Sequence, residues 1–196
     1  RQAQAVDGPE PVERDHDVVH PQQRLDGLSE TAQRVLLVAA LMGNAQHLEA
    51  LAPVVGLTAL ATAEAAAQAQ AAGLLSGTEF AHDLVRETLV QGVAPAVRRA
   101  LHAGIARHAQ AHLGPHALAQ HWWAAGREDE AVAQTALAAA LDRARGLLDE
   151  ALTLLHSALE RSTDAGRQAL LQSLLGSTCF QAGDNAAAAR WAAAAL

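Results

Sequence analysis

The sequence has a single cysteine, few aromatic residues and no tyrosine, and all 14 of its basic residues are arginine. With Cys179 alone, neither an intrachain disulfide nor a zinc site built on several cysteines can form. Aromatic residues make up 3% of the 196 residues, although 51% are hydrophobic. Such a composition predicts helices that pack closely through alanine, with leucine and valine filling the core.

Missing motifs exclude several kinds of function. The sequence has no G-x-x-x-x-G-K-[ST] loop, and without lysine the charged contact of that loop with a nucleotide cannot be made. Ser29, Ser76 and Cys179 lack the strand-turn-helix context of a catalytic nucleophile. We therefore expect this chain to be no enzyme and to hold no cofactor of its own.

Charge and hydropathy limit the partners. The net charge of −7 argues against a broad surface for nucleic acid, which needs clustered arginine or lysine. No charge-free apolar run is long enough for a membrane span, and the N-terminus has no signal-peptide core. The sole methionine is Met42. These features predict a cytoplasmic protein without membrane partners, and an internal fragment or a processed product.

The first 26 residues have the composition of a linker, because prolines and polar residues there cannot bury enough apolar surface to offset the entropy of ordering. A loose cluster of histidine and aspartate in this linker is a poor metal site, since a linker holds no rigid geometry. The prolines are Pro9, Pro11 and Pro21, and the cluster consists of His16, Asp17 and His20.

The pattern over residues 27–113 predicts a winged-helix domain and the helices that follow it. Ser29 is a suitable N-cap for a helix that ends at Gly43, and a short second helix fits residues 45–51, closed by Pro53 and Gly56. A third helix fits residues 58–72, capped by Thr58. The Ser76-Gly77 turn lies between two short extended runs, which indicates a hairpin over residues 74–80. Three helices followed by a small hairpin is the winged-helix order.

The remaining chain predicts helices throughout. Residues 83–92 and 95–113 fit two helices, the latter with Pro95 in its first turn. Residues 114–196 alternate helical stretches with short breaks, which predicts the start of an arm of tetratricopeptide-like antiparallel helix pairs. The fold class is therefore mainly α. The breaks fall at 125–126, 145–146, 163–166 and 182–184.

Two groups of residues are candidates for binding. His108 and His112 are four residues apart in the predicted helix 95–113, so they form a weak candidate pair of metal ligands without a third. Solvated or hydrogen-bonded histidines are the simpler interpretation. Trp122 and Trp123 point about 100° apart on a helix, so both cannot fill one core pocket. One of them is therefore a candidate contact for a partner.

The third predicted helix bears on DNA binding, because a winged helix reads DNA with this element. Its single charged residue is Glu64, and it has no arginine to contact a phosphate. We interpret the domain as structural or as a docking module that does not contact nucleic acid directly. Similarly, residues 186–195 contain one charged residue, Arg190, which leaves self-association through the C-terminal end open.

An ordered series of short motifs resembles one family. The run F-A-H-D-L-V-R-E at 80–87 is followed by Arg98-Arg99, Leu101-His102 and Ile105-Ala106. Further on stand His121, Ala125-Gly126 and Glu130-Ala131. This order is similar to the region after the nucleotide-binding module of large ATP-binding LuxR-family transcriptional regulators and related STAND signal-transduction ATPases. The resemblance covers roughly residues 25–160.

Membership of that family implies an ATP-binding domain upstream and a DNA-binding helix-turn-helix downstream, neither of which is in this chain. The function expected from the resemblance is that of a non-catalytic regulatory fragment. It would relay to the ATPase the binding of a protein or a small effector by the helical arm, and ATP would be a cofactor of the parent protein alone. The alternative is a stand-alone helical-repeat adaptor for protein interactions.

Overall fold

The computed structural model describes residues 21–43 and 45–196, and this part of the chain is mainly helical, as the sequence predicts. It contains eleven helices and one antiparallel hairpin of two strands. The first group of elements is α1 (Pro21–Asp26), α2 (Glu30–Met42), α3 (Leu48–Val55), α4 (Ala59–Ala71), β1 (Leu75–Ser76), β2 (Glu79–Phe80), α5 (Asp83–Gln91) and α6 (Pro95–His108). The second is α7 (Pro115–Ala124), α8 (Glu128–Ala144), α9 (Leu148–Arg161), α10 (Ala165–Gln181) and α11 (Asn185–Ala194).

Local capping accounts for several helix ends. The Ser29 side chain accepts a hydrogen bond from the amide of Ala32 at the start of α2, and Thr58 does the same for Ala61 in α4. Each bond satisfies one of the amides that the first turn leaves unpaired. Helix α2 ends at Gly43, whose φ of 88° is accessible to glycine with little strain. The predicted caps Ser29 and Thr58 are thus confirmed.

The hairpin is confirmed and very short. Leu75 pairs with Phe80 and Ser76 with Glu79, and Gly77 in the turn has a φ of 62°. Leu74 and Leu75 are buried, so the hairpin is anchored by its first strand against the helices. The second strand leads directly into α5.

Three helix boundaries differ from the sequence prediction. Residues 21–26, predicted as the end of a linker, form α1 and bury Leu25. The second helix, α3, begins at Leu48 rather than at 45 and continues past Pro53, so that Val54 and Val55 pack on the core; the predicted Gly56 closes it, with a φ of 71°. Helix α6 ends at His108 rather than near residue 113, because a turn begins at Ala109.

Buried residues form three clusters among the described residues. The first surrounds α2 and takes side chains from α1 and α3 to α6 and from the hairpin. The second lies between α8, α9 and α10, and the third between α6, α7 and α8. Ala109, just after α6, belongs to the first cluster. Helix α6 itself contributes to two of the clusters, with Ile105 in the first and Ala103 and Ala106 in the third. It therefore joins the N-terminal core to the helices that follow.

Helices α7 to α11 form a consecutive series in which each packs against the next, while α8 also packs against α10. Three of the turns are closed by Gly126, Gly146 and Gly183, with φ values of 71°, 79° and 84°. A positive φ at a helix end favours glycine, because a Cβ would be strained there. The breaks predicted at these positions are confirmed. No helix in the described part of the chain has the length and apolarity needed to cross a membrane.

Candidate partner-binding surface

The two adjacent tryptophans of α7 have different surroundings. Trp122 is 4% exposed and belongs to the third cluster. Trp123 is half-buried between the second and third clusters, and its Nε1 lies 3.4 Å from Thr135 Oγ1, to which it donates a hydrogen bond. Trp122 therefore has almost no free surface for a partner. A partner contact through Trp123 stays a prediction.

Arginine side chains lie near both rings. The guanidinium carbon of Arg161 is 4.5 Å from the centroid of the Trp123 ring, and that of Arg127 is 5.9 Å from the Trp122 ring. Both distances are within the range of cation–π attraction. Burial lowers the pKa of Arg161 from its usual value, although the group remains charged. Arg161 thus covers part of the ring that Trp123 presents at the edge of the core.

Glu128, at the first residue of α8, fixes the loop between α9 and α10. Its carboxylate accepts hydrogen bonds from Ser162 Oγ at 2.6 Å, the Thr163 amide at 3.0 Å and Thr163 Oγ1 at 3.1 Å. These bonds favour the charged carboxylate, so they lower the pKa of Glu128 to about 2, the bond from Ser162 having the largest effect. One carboxylate therefore ties α8 to the start of the next helix pair.

Further polar bonds hold α8 and α10 side by side. Near their N-terminal ends, Arg167 lies 2.6 Å from Asp129 Oδ1, an interaction that raises the pKa of the guanidinium. Near their C-terminal ends, Arg143 donates to Gln181 Oε1 at 3.0 Å and to Ser177 Oγ at 3.2 Å. Because these bonds join α8 and α10 at both ends, the two helices keep a fixed position relative to each other, and so do the side chains that they expose.

Helices α8 and α10 present large apolar side chains to solvent. On α8, Leu137 is 53% and Leu141 is 40% exposed; on α10, Leu170 is 47% and Phe180 is 70% exposed. Isolated exposed apolar residues are ordinary, but Leu137 and Leu141 lie one turn apart on α8, so this pair in particular is a candidate contact for another protein. We call these four residues the α8/α10 surface.

The α8/α10 surface was not predicted from the sequence. A signal was nevertheless present, because residues 131–141 of α8 are apolar on nearly every side of the helix. In a soluble protein such a helix is buried all round or contacts a partner. The buried residues of α8 lie on one side of the helix, and Leu137 and Leu141 lie on the opposite side.

The helical face predicted to carry both His108 and His112 is not formed. Because α6 ends at His108, His112 lies in the following turn and the two do not share a helical face. The His112 ring instead stacks on His47, with centroids 4.4 Å apart. In the part of the chain that the structure describes, no three His, Cys, Asp or Glu side chains are arranged to hold a metal ion. The cluster of His16, Asp17 and His20 lies outside the described residues.

A different pair of histidines does come together, at the joint between α6 and α7. The Nδ1 atoms of His102 and His121 are 2.8 Å apart, so one ring donates and the other accepts a hydrogen bond. Burial, and then the neighbouring His102, lowers the pKa of His121 to about 4; burial and then Arg98 lowers the pKa of His102. The pair is therefore neutral near pH 7, and it connects the two helices.

The start of α7 has a second polar anchor on α8. His116 Nε2 lies 2.7 Å from Asp142 Oδ2, and the Asp142 side chain is 4% exposed. A buried carboxylate needs such a partner to offset its lost hydration. Helix α7 is thus attached to α6 through His121 and to α8 through His116.

Comparisons with protein-family models, with curated proteins and with solved structures gave no match to this chain. Its function is therefore inferred from the geometry above and from the motif series at residues 80–131.

The chemistry available on this surface is that of recognition. Leucine and phenylalanine side chains exclude water from a partner, while the ion pairs at the helix ends can orient it. The single thiol, Cys179, is buried, and burial raises its pKa, so it is poorly suited to act as a nucleophile. These features favour a binding surface over a reaction centre.

Proposed function

We propose that this chain is a non-catalytic regulatory part of a LuxR-type signalling ATPase and transcriptional regulator. In this proposal residues 27–113 form a winged-helix module, and residues 114–196 begin a tetratricopeptide-like sensor arm. The arm binds a protein or a small effector, and the winged helix relays that binding to an ATPase domain elsewhere in the parent protein. The motif series at 80–131 supports the choice of family, and the packing of α6 supports the route of the relay.

The observation that carries the proposal is the double role of α6. Its residue Ile105, together with Ala109 just after the helix, belongs to the core around α2, while Ala103 and Ala106 belong to the core with α7. Because packed cores transmit displacement rather than absorb it, a shift of α7 would be felt around α2. The His102–His121 bond reinforces the joint at the same place.

The outer side of α4 supports docking rather than DNA reading for the winged helix. Leu60 is 70% exposed and Glu64 is also exposed, and α4 contains no arginine. Phosphate contacts supply most of the affinity for DNA, and this face offers none. An exposed leucine on a nearly uncharged helix is better suited to a protein neighbour.

Reading the gene on both sides of this chain tests the assignment directly. The proposal expects an upstream G-x-x-x-x-G-K-[ST] loop after a strand and a downstream helix-turn-helix. If both were missing, the proposal would be rejected in favour of the stand-alone adaptor, in which the α8/α10 surface serves the same partner without an ATPase.

A pair of matched variants tests the role of the arm in the whole protein. Leu137→Glu with Leu141→Glu places two charges on the α8/α10 surface and should abolish regulation of a reporter gene without changing basal ATP turnover. Leu84→Glu makes a similar change on α5, outside the arm, where Leu84 is 52% exposed, and it controls for general effects of an acidic substitution. Normal regulation with the arm variant would rule out this surface as the sensor.

A further inference from the structure

A groove bordered by α2, α5 and α6 combines apolar walls with basic side chains. Its volume is about 390 Å³, which is within the range of small-molecule sites. Ala40 and Leu41 of α2 and Val90 of α5 supply apolar surface, and the basic side chains come from α5 and α6. Helix α2 packs against both α5 and α6, so the walls of the groove are held in place by the first cluster.

The two arginines that line this groove lack a strong acidic partner. Arg98 is half-buried, its guanidinium lies 3.5 Å from the Val93 carbonyl oxygen, and it forms no ion pair with any carboxylate of the described residues. Arg86 has an ion pair with Asp83 at 3.8 Å, but the Asp83 side chain is 89% exposed, and exposed pairs of this kind contribute little. Since a partly buried guanidinium loses hydration, an anion in the groove would offset that loss.

The charge of the lining favours an ion with a single negative charge. Two arginines, Arg86 and Arg98, and one glutamate, Glu87, give a net charge of +1. His102 adds no charge near pH 7, because burial and the neighbouring Arg98 lower its pKa. A carboxylate neutralises the groove and accepts the two parallel N–H groups of a guanidinium, whereas a phosphate dianion would leave excess negative charge beside Glu87. The apolar walls suit a hydrocarbon body attached to the carboxylate.

His102 can supply a third hydrogen-bond donor, because its tautomer is set by His121. When His102 Nδ1 accepts the bond from His121 Nδ1, the neutral His102 ring carries its proton on Nε2. In that tautomer Nε2 is free to donate to an acceptor in the groove that His102 lines. In the other tautomer Nε2 has a lone pair, which a carboxylate oxygen would avoid. A bound carboxylate therefore favours the first tautomer.

We propose that the groove between α2, α5 and α6 binds a small organic monocarboxylate. The carboxylate accepts hydrogen bonds from Arg86, Arg98 and His102 Nε2, and the hydrocarbon part of the ligand packs on the apolar walls. A ligand of about nine non-hydrogen atoms in such an open site should have a dissociation constant of roughly 1 mM. This inference does not depend on the proposed regulatory function, because the groove shares no residue with the α8/α10 surface.

Heteronuclear NMR of the 196-residue chain tests the site with benzoate, which has one carboxylate and an apolar ring. Amide signals of α5 and α6 along the groove should shift and saturate with a dissociation constant of roughly 1 mM at about 0.1 M salt. Benzamide has the same shape without the charge, and inorganic phosphate has charge without the ring. Each should bind at least about tenfold more weakly than benzoate. The ¹⁵N signals of His102 should move towards those of a ring protonated on Nε2.

Neighbouring arginines of α6 provide matched variants. Arg98→Gln removes a lining charge and should raise the dissociation constant for benzoate at least about tenfold. Arg99→Gln removes the next charge along the helix, but Arg99 is exposed and does not line the groove, so the affinity should be unchanged. Unshifted amide signals away from α6 verify that both variants keep the fold. The proposal would be overturned by the absence of saturable shifts with benzoate, by benzamide or phosphate binding as tightly as benzoate, or by equal effects of the two variants.

Discussion

At the residue scale, the chemistry that distinguishes this chain is a buried contact between two neutral rings. His102 and His121 share one hydrogen bond between their Nδ1 atoms, and no arrangement with protons on both of these atoms preserves it. Arg98 disfavours a charge on His102, and Arg86 and Glu87 lie along the adjoining groove. This hydrogen bond is lost only when both Nδ1 atoms carry protons, but burial of the rings disfavours even the first charge, so the joint between α6 and α7 is most stable with both histidines neutral.

This dependence predicts that stability falls in mild acid. The pKa of His121 is lowered to about 4 in the folded chain. As the pH falls below 6.5, this histidine is therefore protonated in the unfolded chain while it stays neutral in the folded chain. The contribution of neutral His121 to the free energy of unfolding is present above pH 6.5 and is lost as the pH falls towards 4. Between pH 7 and pH 5 we expect a loss of about 1–2 kcal/mol in the free energy of unfolding, measured by urea titration.

The matched variants for this measurement are His121→Gln and His108→Gln. Glutamine at 121 can bond to His102 but does not titrate in this range, so most of the loss between pH 7 and pH 5 should disappear. His108 is exposed at the end of α6, and its replacement should leave the loss unchanged. Identical pH dependence in the two variants would show that the buried pair is not responsible.

At the scale of elements, α6 is the helix on which the two parts of the chain meet, and a glycine sets its distance from α3. A Cβ added to Gly104 would lie 2.8 Å from Val54 Cγ1, closer than real Cβ atoms come. Valine is stiff at χ1 and cannot easily turn away. Glycine inside a helix otherwise costs about 1 kcal/mol relative to alanine, so its presence here reflects the close contact.

We therefore predict that Gly104→Ala destabilises the chain despite its better helix propensity. The expected loss is about 1–3 kcal/mol, from forcing α3 and α6 apart. In a Val54→Ala background the space is free, and the same substitution should become neutral or stabilising by up to about 1 kcal/mol. Denaturant titration of the four proteins in this double-mutant cycle measures both values. A stabilising effect beside the intact Val54 would contradict the contact.

Elements also show which features the sequence could predict. The caps Ser29 and Thr58, the hairpin and the glycine turns depend on neighbouring residues, so they were predictable. Gly56 gave a local signal for the end of α3, whereas the end of α6 at His108 depends on how helices pack, which no local pattern contains. The α8/α10 surface escaped prediction because alanine and leucine fill both buried and exposed positions of α8. The approach of His102 to His121 spans a turn between helices and has no signal in spacing.

At the scale of the whole molecule, charge decides which ligands the chain can attract. The net charge is −7, and the described α4 carries one acidic and no basic residue. Two arginines elsewhere are engaged with acidic or polar neighbours: Arg167 with Asp129, and Arg143 with Gln181. A polyanion approaching α4 would therefore meet net repulsion and no paired contact.

The last prediction is that the isolated chain binds neither duplex DNA nor ATP below about 10 µM at roughly 0.1 M salt, because nonspecific DNA affinity comes from basic side chains that α4 lacks. ATP binding would require the phosphate loop that is missing from the sequence. Fluorescence anisotropy with labelled duplex and labelled ATP measures both.

The informative control adds the missing charge: Leu60→Arg, Glu64→Arg and Ala67→Arg together place three arginines on exposed positions of α4, spaced to lie on one side. This variant should gain weak DNA binding that disappears as salt is raised, with ATP binding still absent. Sub-micromolar binding of either ligand by the unmodified chain would contradict the prediction, and it would point to a basic surface formed elsewhere on the molecule.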